Sequence, residues 1–167
     1  EIFRAYDIRG IAGKELTEKG IFYIGKAIGT LILSEGRKSL LTARDGRISG
    51  PSLLRSFQEG VLASGCNVAD LGLIPTPLLY FATFKTTIPD GVMLTGSHNP
   101  KNYNGLKIVI DKKSMTSQKI EEIKNMISND NYFHGSGEMS KLEIKKDYLT
   151  ELQEKIRLDS VSYTHLT

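Results

Sequence analysis

A single cysteine, Cys66, stands among the 167 residues, so no disulfide can close within the chain, and the composition suits a reducing compartment. Flanked by Gly65, Asn67 and Val68, it reads as a small core residue entering a strand, not as a reactive thiol. No apolar run approaches the roughly 20 residues that span a bilayer, and no signal-peptide pattern opens the sequence. Membrane insertion and secretion are therefore not expected, and a cytoplasmic location is. A long basic run is missing too, as is any interleaving of aromatic and basic residues of the kind that stacks bases. The net charge of +3 is spread along the chain, which favours small anionic ligands weakly and nucleic acid hardly at all. Internal repeats and low-complexity segments are absent. The chain opens on Glu1 with no Met before it, as expected of a chain trimmed at its start.

The hydrophobic content of 40% and charged content of 25% are those of an ordinary soluble domain. This length supports one domain with a real core and is short for two. Residues 2–10 have no clean period and are expected to be extended or looped as far as Gly10. From Leu16 to Ser34 apolar residues recur at three and four, the mark of an amphipathic helix with Thr17 near its start. Ser39 to Ala43 reads as a strand delivering Arg44-Asp45-Gly46-Arg47 to its end. Ser49-Gly50-Pro51-Ser52 then starts a helix that Gly65 stops. Val68 to Leu73 is a strand, Pro75-Thr76-Pro77 begins a helix, and Ser117 to Ile127 and Lys145 to Leu158 are further helices. Asn129 to Ser140 is expected to be a polar loop.

The stretch Gly91 to Ile110 anchors this pattern. Val92 to Leu94 and Leu106 to Ile110 are apolar runs of strand length around a polar loop from Thr95 to Gly105. That loop is too short for a crossover, so the second strand is antiparallel to the first, in a sheet otherwise built from alternating strands and helices. The expected architecture is α/β: a three-layer α/β/α sandwich with a small mixed, mostly parallel sheet. Ser97, His98 and Asn99 fall at the carboxyl end of a strand, where open α/β sheets place ligands.

Adjacent Ser97 and His98 suggest a hydrolase. Neighbours in an extended segment point to opposite faces, however, which places His98 badly for taking a proton from Ser97. The nucleophile-elbow pattern also needs Gly where Thr95 and Asn99 stand. Carrying a phosphoryl group remains, since that demands donors and positive charge around the oxygens more than a local base. Lys107, Arg4 and Arg9 are the candidate cations. Each of these residues also has a plain reading: Ser97 as a turn hydroxyl, His98 as a structural hydrogen-bonding residue, Lys107, Arg4 and Arg9 as solvated charges.

Four motifs in order then carry a resemblance. They are Phe3-Arg4-Ala5-Tyr6-Asp7-Ile8-Arg9-Gly10, Arg44-Asp45-Gly46-Arg47 with Ser49-Gly50, Pro75-Thr76-Pro77, and Gly91 to Lys107 with Thr95-Gly96-Ser97-His98-Asn99-Pro100. Together they resemble the first domain of the α-D-phosphohexomutases, over residues from about Ile2 to about Leu158. The bacterial phosphomannomutase/phosphoglucomutase branch is the most similar. The resemblance implies a phosphoserine mutase that interconverts hexose 1-phosphate and 6-phosphate through a bisphosphorylated sugar. Phosphorylated Ser97 gives its phosphoryl group to the substrate and recovers one from the other end of the intermediate. Arg9 and Lys107 are then the cation or acid-base partners, His98 and Asn99 shape the loop, and Arg4 and Tyr6 support it.

The same resemblance implies Mg²⁺ bound through the phosphate on Ser97, with a hexose 1,6-bisphosphate as activator and a phosphosugar as substrate. The family's Asp-x-Asp-x-Asp metal loop has no match here, and Asp45 is expected only to fix its own turn, paired with Arg47 or Arg44. The sugar-recognition and terminal phosphate-binding loops are missing as well. The expectation is a first domain at residues 1–158 whose partners are domains 2–4 of the same enzyme, inactive as a mutase by itself. Residues 159–167 are expected to be an unstructured or foreign tail. A phosphoglucosamine mutase domain and a phosphosugar-binding module without catalysis stay open as alternatives.

Overall fold

The computed structural model describes residues 2–156; residues 157–167, which hold the expected tail and the end of the last expected helix, lie outside the described residues. The elements run β1 (Ile8–Ile11), α1 (Glu18–Ser34), β2 (Ser39–Arg44), α2 (Gly50–Ala63), β3 (Asn67–Leu73), α3 (Thr76–Lys85), β4 (Gly91–Leu94), β5 (Tyr103–Ile110), β6 (Lys113–Ser114), α4 (Ser117–Ser128), β7 (Met139–Lys141) and α5 (Lys145–Lys155). The sheet order is β1-β5-β4-β2-β3-β7, with β6 beside β5. β2 pairs in parallel with β3 and β4, and β3 with β7. β5 is antiparallel to β4, as its short connection requires, and also to β1 and β6.

Two cores lie on the two faces of this sheet, and the period of two decides which strand residue enters which. Leu40, Val68, Val92, Leu106 and Ile108 join α1, α2 and α4 on one face. Leu41, Ala69 and Met93 join α3, with Ile144 leading into α5, on the other. The three layers expected from the alternating pattern are present. α1 starts as the sequence suggests, with the Thr17 hydroxyl oxygen accepting the Gly20 N–H at 3.1 Å. α1 and α2 pack almost backbone to backbone: a Cβ at Gly60 would land on the Phe22 carbonyl. Cys66 is fully buried, and burial pushes its thiol up to about 12, which removes it from chemistry.

The larger departures from the sequence reading fall at four boundaries. β1 runs past Gly10 to Ile11, because its register with β5 from Ile8↔Leu106 to Ile11↔Tyr103 supplies partners that periodicity does not reveal. β5 begins at Tyr103, three residues before the apolar run, for the same reason. The expected polar loop from Asn129 to Ser140 ends in β7, an exposed strand held only by hydrogen bonding to the edge of β3. α5 ends at Lys155. With β1, β6 and β7 the sheet has seven strands, more than the small sheet expected. Among the described residues, no helix is long and apolar enough to cross a membrane.

Candidate active site

The carboxyl ends of the neighbouring parallel strands β2 and β4 release two polar connections side by side: Asp45-Gly46-Arg47 after β2 and the 95–102 loop after β4. Asp45 joins them. Its Oδ1 accepts the Arg47 N–H at 3.1 Å, which closes its own turn. Its Oδ2 accepts the Thr95 hydroxyl at 2.8 Å, the Gly96 N–H at 3.3 Å and Arg47 Nε at 3.3 Å. The Thr95 hydroxyl oxygen in turn accepts the Ser97 N–H at 2.9 Å.

Arg47 completes the joint. Its Nη1 donates to the carbonyls of Pro100 at 2.6 Å and Tyr103 at 3.0 Å, and its Nη2 to those of Ser97 at 3.0 Å and Asn99 at 2.8 Å. Only a planar five-donor fork can serve a carboxylate and four carbonyls at once. The guanidinium lies flush against Gly96, where a Cβ would overlap it. Asn99 tightens the turn further, donating from its side chain to the Gly96 carbonyl at 2.8 Å.

At the tip of this braced loop, Ser97 is exposed and has φ 52°, a left-handed conformation rare outside glycine. Such a conformation costs on the order of 1–3 kcal/mol and persists only where its surroundings enforce it. Four charge-assisted bonds from Arg47 at about 1.5–3 kcal/mol each are ample for that. The turn also corrects the expectation that Ser97 and His98 point apart. The segment is not extended there, and Ser97 Oγ lies 3.5 Å from His98 Nδ1, at the outer limit of a hydrogen bond. Among the described residues no carboxylate bonds to the His98 ring, so the arrangement still lacks the third member of a hydrolytic triad.

The other expected site residues divide into two groups. Arg4, Asp7, Arg9, Asn99, Pro100 and Tyr103 line a cavity of about 470 Å³ beside the loop. The segment before β1 forms it by turning back: the Arg4 N–H bonds the Asp7 carbonyl at 2.9 Å and Phe3 bridges to Ile8. Arg9 is ion-paired with Asp7. Tyr6, at the tip of that turn, is 71% exposed and does not line the cavity. Lys107 does not line it either. Arg9 sits opposite Gly105 and Lys107 opposite Met93, which places both cations on the sheet face opposite the α1–α2 core, two positions apart along β5. Sequence reasoning missed the reach of Asp45 and Arg47 across some fifty residues. It also missed the buried Asn104, which donates to Ser49 Oγ at 3.0 Å and ties the start of β5 to the entry of α2. The clustering of Arg44-Asp45-Gly46-Arg47 at a strand's end was the available signal.

Among the described residues, no group of three or more His, Cys, Asp or Glu side chains is placed to hold a metal ion. The two carboxylates nearest the loop are engaged, Asp45 by four donors and Asp7 by Arg9.

Residues 1–133 match the family described as phosphoglucomutase/phosphomannomutase, alpha/beta/alpha domain I. The chain is 40% identical over 157 residues to a phosphomannomutase/phosphoglucomutase of Pseudomonas aeruginosa, covering 94% of this chain and 34% of that protein. It is 39% identical over 160 residues to a phosphoglucomutase of Neisseria meningitidis serogroup B, covering 95% of this chain and 35% of that protein. A crystal structure of a phosphoglucomutase/phosphomannomutase family protein from Burkholderia thailandensis superposes with a TM-score of 0.92 at 34% identity, covering 95% of this chain and 36% of that one. The chain thus spans about a third of the length of the curated relatives it matches.

Proposed function

Because the chain belongs to the phosphoglucomutase/phosphomannomutase family, as its α/β/α domain I, we propose that it supplies the phosphoserine-bearing domain of an enzyme interconverting hexose 1-phosphate and hexose 6-phosphate, with mannose or glucose as the hexose. The observation that carries this reading is the exposed Ser97 hydroxyl, held in a left-handed turn by Arg47 and Asp45 beside a cavity lined by two arginines.

In the proposed reaction the phosphate on Ser97 passes to the free hydroxyl of the sugar phosphate. The P–O bond to Ser97 breaks as the P–O bond to the sugar forms, the sugar hydroxyl loses its proton and Ser97 Oγ regains one. The bisphosphorylated sugar turns around, and its other phosphoryl group returns to Ser97 by the same exchange in reverse. A phosphoserine dianion, with its second pKa near 6, needs fixed positive partners. Arg9 and Lys107 supply positive charge on the sheet face they share, Lys107 being the one able to carry the proton because a guanidinium stays protonated, while Arg4 and Tyr6 support the rim. His98 and Asn99 keep the loop's shape, and the 3.5 Å approach of His98 to Ser97 allows it to stabilise the departing oxygen.

Mg²⁺ belongs to this reading as a partner of the phosphate on Ser97, where it would neutralise charge. Residues 2–156 offer it no free carboxylate beside the loop, so its remaining ligands are assigned to other domains of the enzyme. A hexose 1,6-bisphosphate would serve as the activator that first loads Ser97. The partners are therefore the phosphosugar and domains 2–4, and no catalytic step is assigned to this chain alone.

The test is turnover. A polypeptide extended to the length of the relatives is expected to convert glucose or mannose 1-phosphate to the 6-phosphate with Mg²⁺ and a bisphosphate, Ser97→Ala is expected to abolish it, and the isolated chain is expected to show little or none. Undiminished turnover in Ser97→Ala, or substantial turnover by the isolated chain, would overturn the reading.

A further inference from the structure

The bonds made by Arg47 fix the direction of the loop's peptide units as well as its path. Every peptide bond among the described residues is trans, and in a trans peptide the carbonyl and the N–H that follows it point opposite ways. The Ser97 carbonyl is drawn to Arg47 Nη2 at 3.0 Å, so the His98 N–H points away from the guanidinium, in a stretch where Ser97 and His98 are both exposed. Its neighbours are all paired. The Gly96 N–H goes to Asp45 at 3.3 Å, the Ser97 N–H to Thr95 Oγ1 at 2.9 Å, and the Asn99 N–H to the Gly96 carbonyl at 3.0 Å. Among the described residues no acceptor takes the His98 N–H. The loop thus leaves one main-chain donor directly after the exposed hydroxyl, and the Arg47 guanidinium fixes its direction.

We infer that Arg47 is a positioning residue for the phosphoryl chemistry: by holding the Ser97 carbonyl inward it turns the His98 main-chain N–H outward, where it donates to an oxygen of the phosphate carried on Ser97. The inference rests on the reading of Ser97 as the phosphoryl carrier. A main-chain donor fixed before the reaction costs nothing to orient when charge shifts on the phosphate, the advantage that oriented N–H groups give at other anion sites. Lysine is no substitute, because one ammonium cannot serve four carbonyls in a planar fork. The positive charge of Arg47 adds to the effect, but geometry is what the inference assigns to it.

The test uses this chain, ¹⁵N-labelled, with phosphoserine installed at position 97 during synthesis. As pH rises through the second ionisation of the phosphate, near 6, the His98 amide proton is expected to move downfield. In Arg47→Lys and Arg47→Gln that response is expected to disappear while the α1 and α2 signals stay in place. Ser49→Ala, which breaks a bond at the same rim without touching Arg47, is expected to retain it. A His98 amide that ignores the phosphate in the unsubstituted chain overturns the inference, and this arm needs no variant to fold. A full response in Arg47→Lys overturns it as well, since charge alone would then suffice. Because the phosphate is installed, the outcome does not depend on whether a bisphosphate loads Ser97. That loading, tested by turnover, decides the functional reading separately.

Discussion

At the carboxyl ends of β2 and β4 the Asp45–Arg47 pair braces the β4–β5 connection, and at the amino ends of the same two strands Arg37 and Asp90 brace the β5–β6 hairpin. The chemistry of the pairs is alike and their use differs. Asp90 is completely buried; its carboxylate accepts Arg37 Nε at 2.5 Å and the Asp111 N–H at 2.8 Å, pinning a two-residue turn whose Asp111 and Lys112 have φ of 50° and 62°. Arg37 also pairs with Glu35, which pairs with Lys119 at the start of α4. That end of the sheet is a closed network of charges. At the other end, Asp45 spreads its oxygens over two connections, and Arg47 gives four of its bonds to carbonyls of a loop whose Ser97 stays exposed. One aspartate–arginine pair holds elements to each other, and the other holds a hydroxyl outward in a conformation it would not adopt alone.

By that contrast, substitutions at the two ends are expected to separate stability from activity. Asp90→Ala carries the largest expected effect: it leaves the Arg37 guanidinium and the Asp111 N–H without their buried partner and lowers stability by about 3–5 kcal/mol. Chemical denaturation measures that loss, and turnover of the full-length enzyme below its melting temperature is expected to be unaffected. Arg47→Lys is expected to do the reverse. It costs the full-length enzyme about 10²-fold in kcat through misplacement of the reacting group, with KM little changed and a smaller loss of stability than Asp90→Ala causes. Equal losses of kcat and stability would erase the distinction.

Thr95→Val sharpens the comparison at the carboxyl ends of β2 and β4. It removes one donor to Asp45 and the acceptor of the Ser97 N–H, for an expected cost of about 1–2 kcal/mol in denaturation. Glu35→Gln is expected to have the smallest effect, below about 1 kcal/mol, and to depend on pH. Burial alone would raise the Glu35 carboxyl, but hydrogen bonds from Lys119 and Arg37 outweigh it and hold the group below its ordinary value. A depressed folded-state value means the contribution is complete above the ordinary carboxylate value and fades as pH falls through the folded one. The stability gap between parent and Glu35→Gln is therefore expected at neutral pH and lost in acid, as read from melting curves across that range.

How much of this was legible in the sequence follows from where each signal resides. Helices and central strands announce themselves by spacing, as Ile21, Ile24, Ile28 and Ile32 do in α1, because one buried face fixes the period. The antiparallel turn of β5 followed from the length of the loop before it. β7 did not, because an exposed three-residue edge strand owes its existence to the open edge of β3 and carries no apolar alternation. At the site, Ser97, His98 and Asn99 could be placed at a strand's end by punctuation alone. The contact from Arg47 to Ser97 could not, since it joins connections on two strands that are neighbours only in the folded sheet. His98 was misjudged because the positive φ of Ser97 is imposed by that distant arginine, and nothing local in the sequence marks it.

The central claim, that Ser97 carries the phosphoryl group, is tested most directly by mass. The full-length enzyme is incubated with Mg²⁺ and a hexose 1,6-bisphosphate beside its Ser97→Ala variant, and each is weighed intact and mapped by peptides. The account predicts one added phosphate, located on Ser97 and absent from the variant. Phosphate on another residue in both proteins, or catalytic turnover with no phosphate on Ser97, would contradict it.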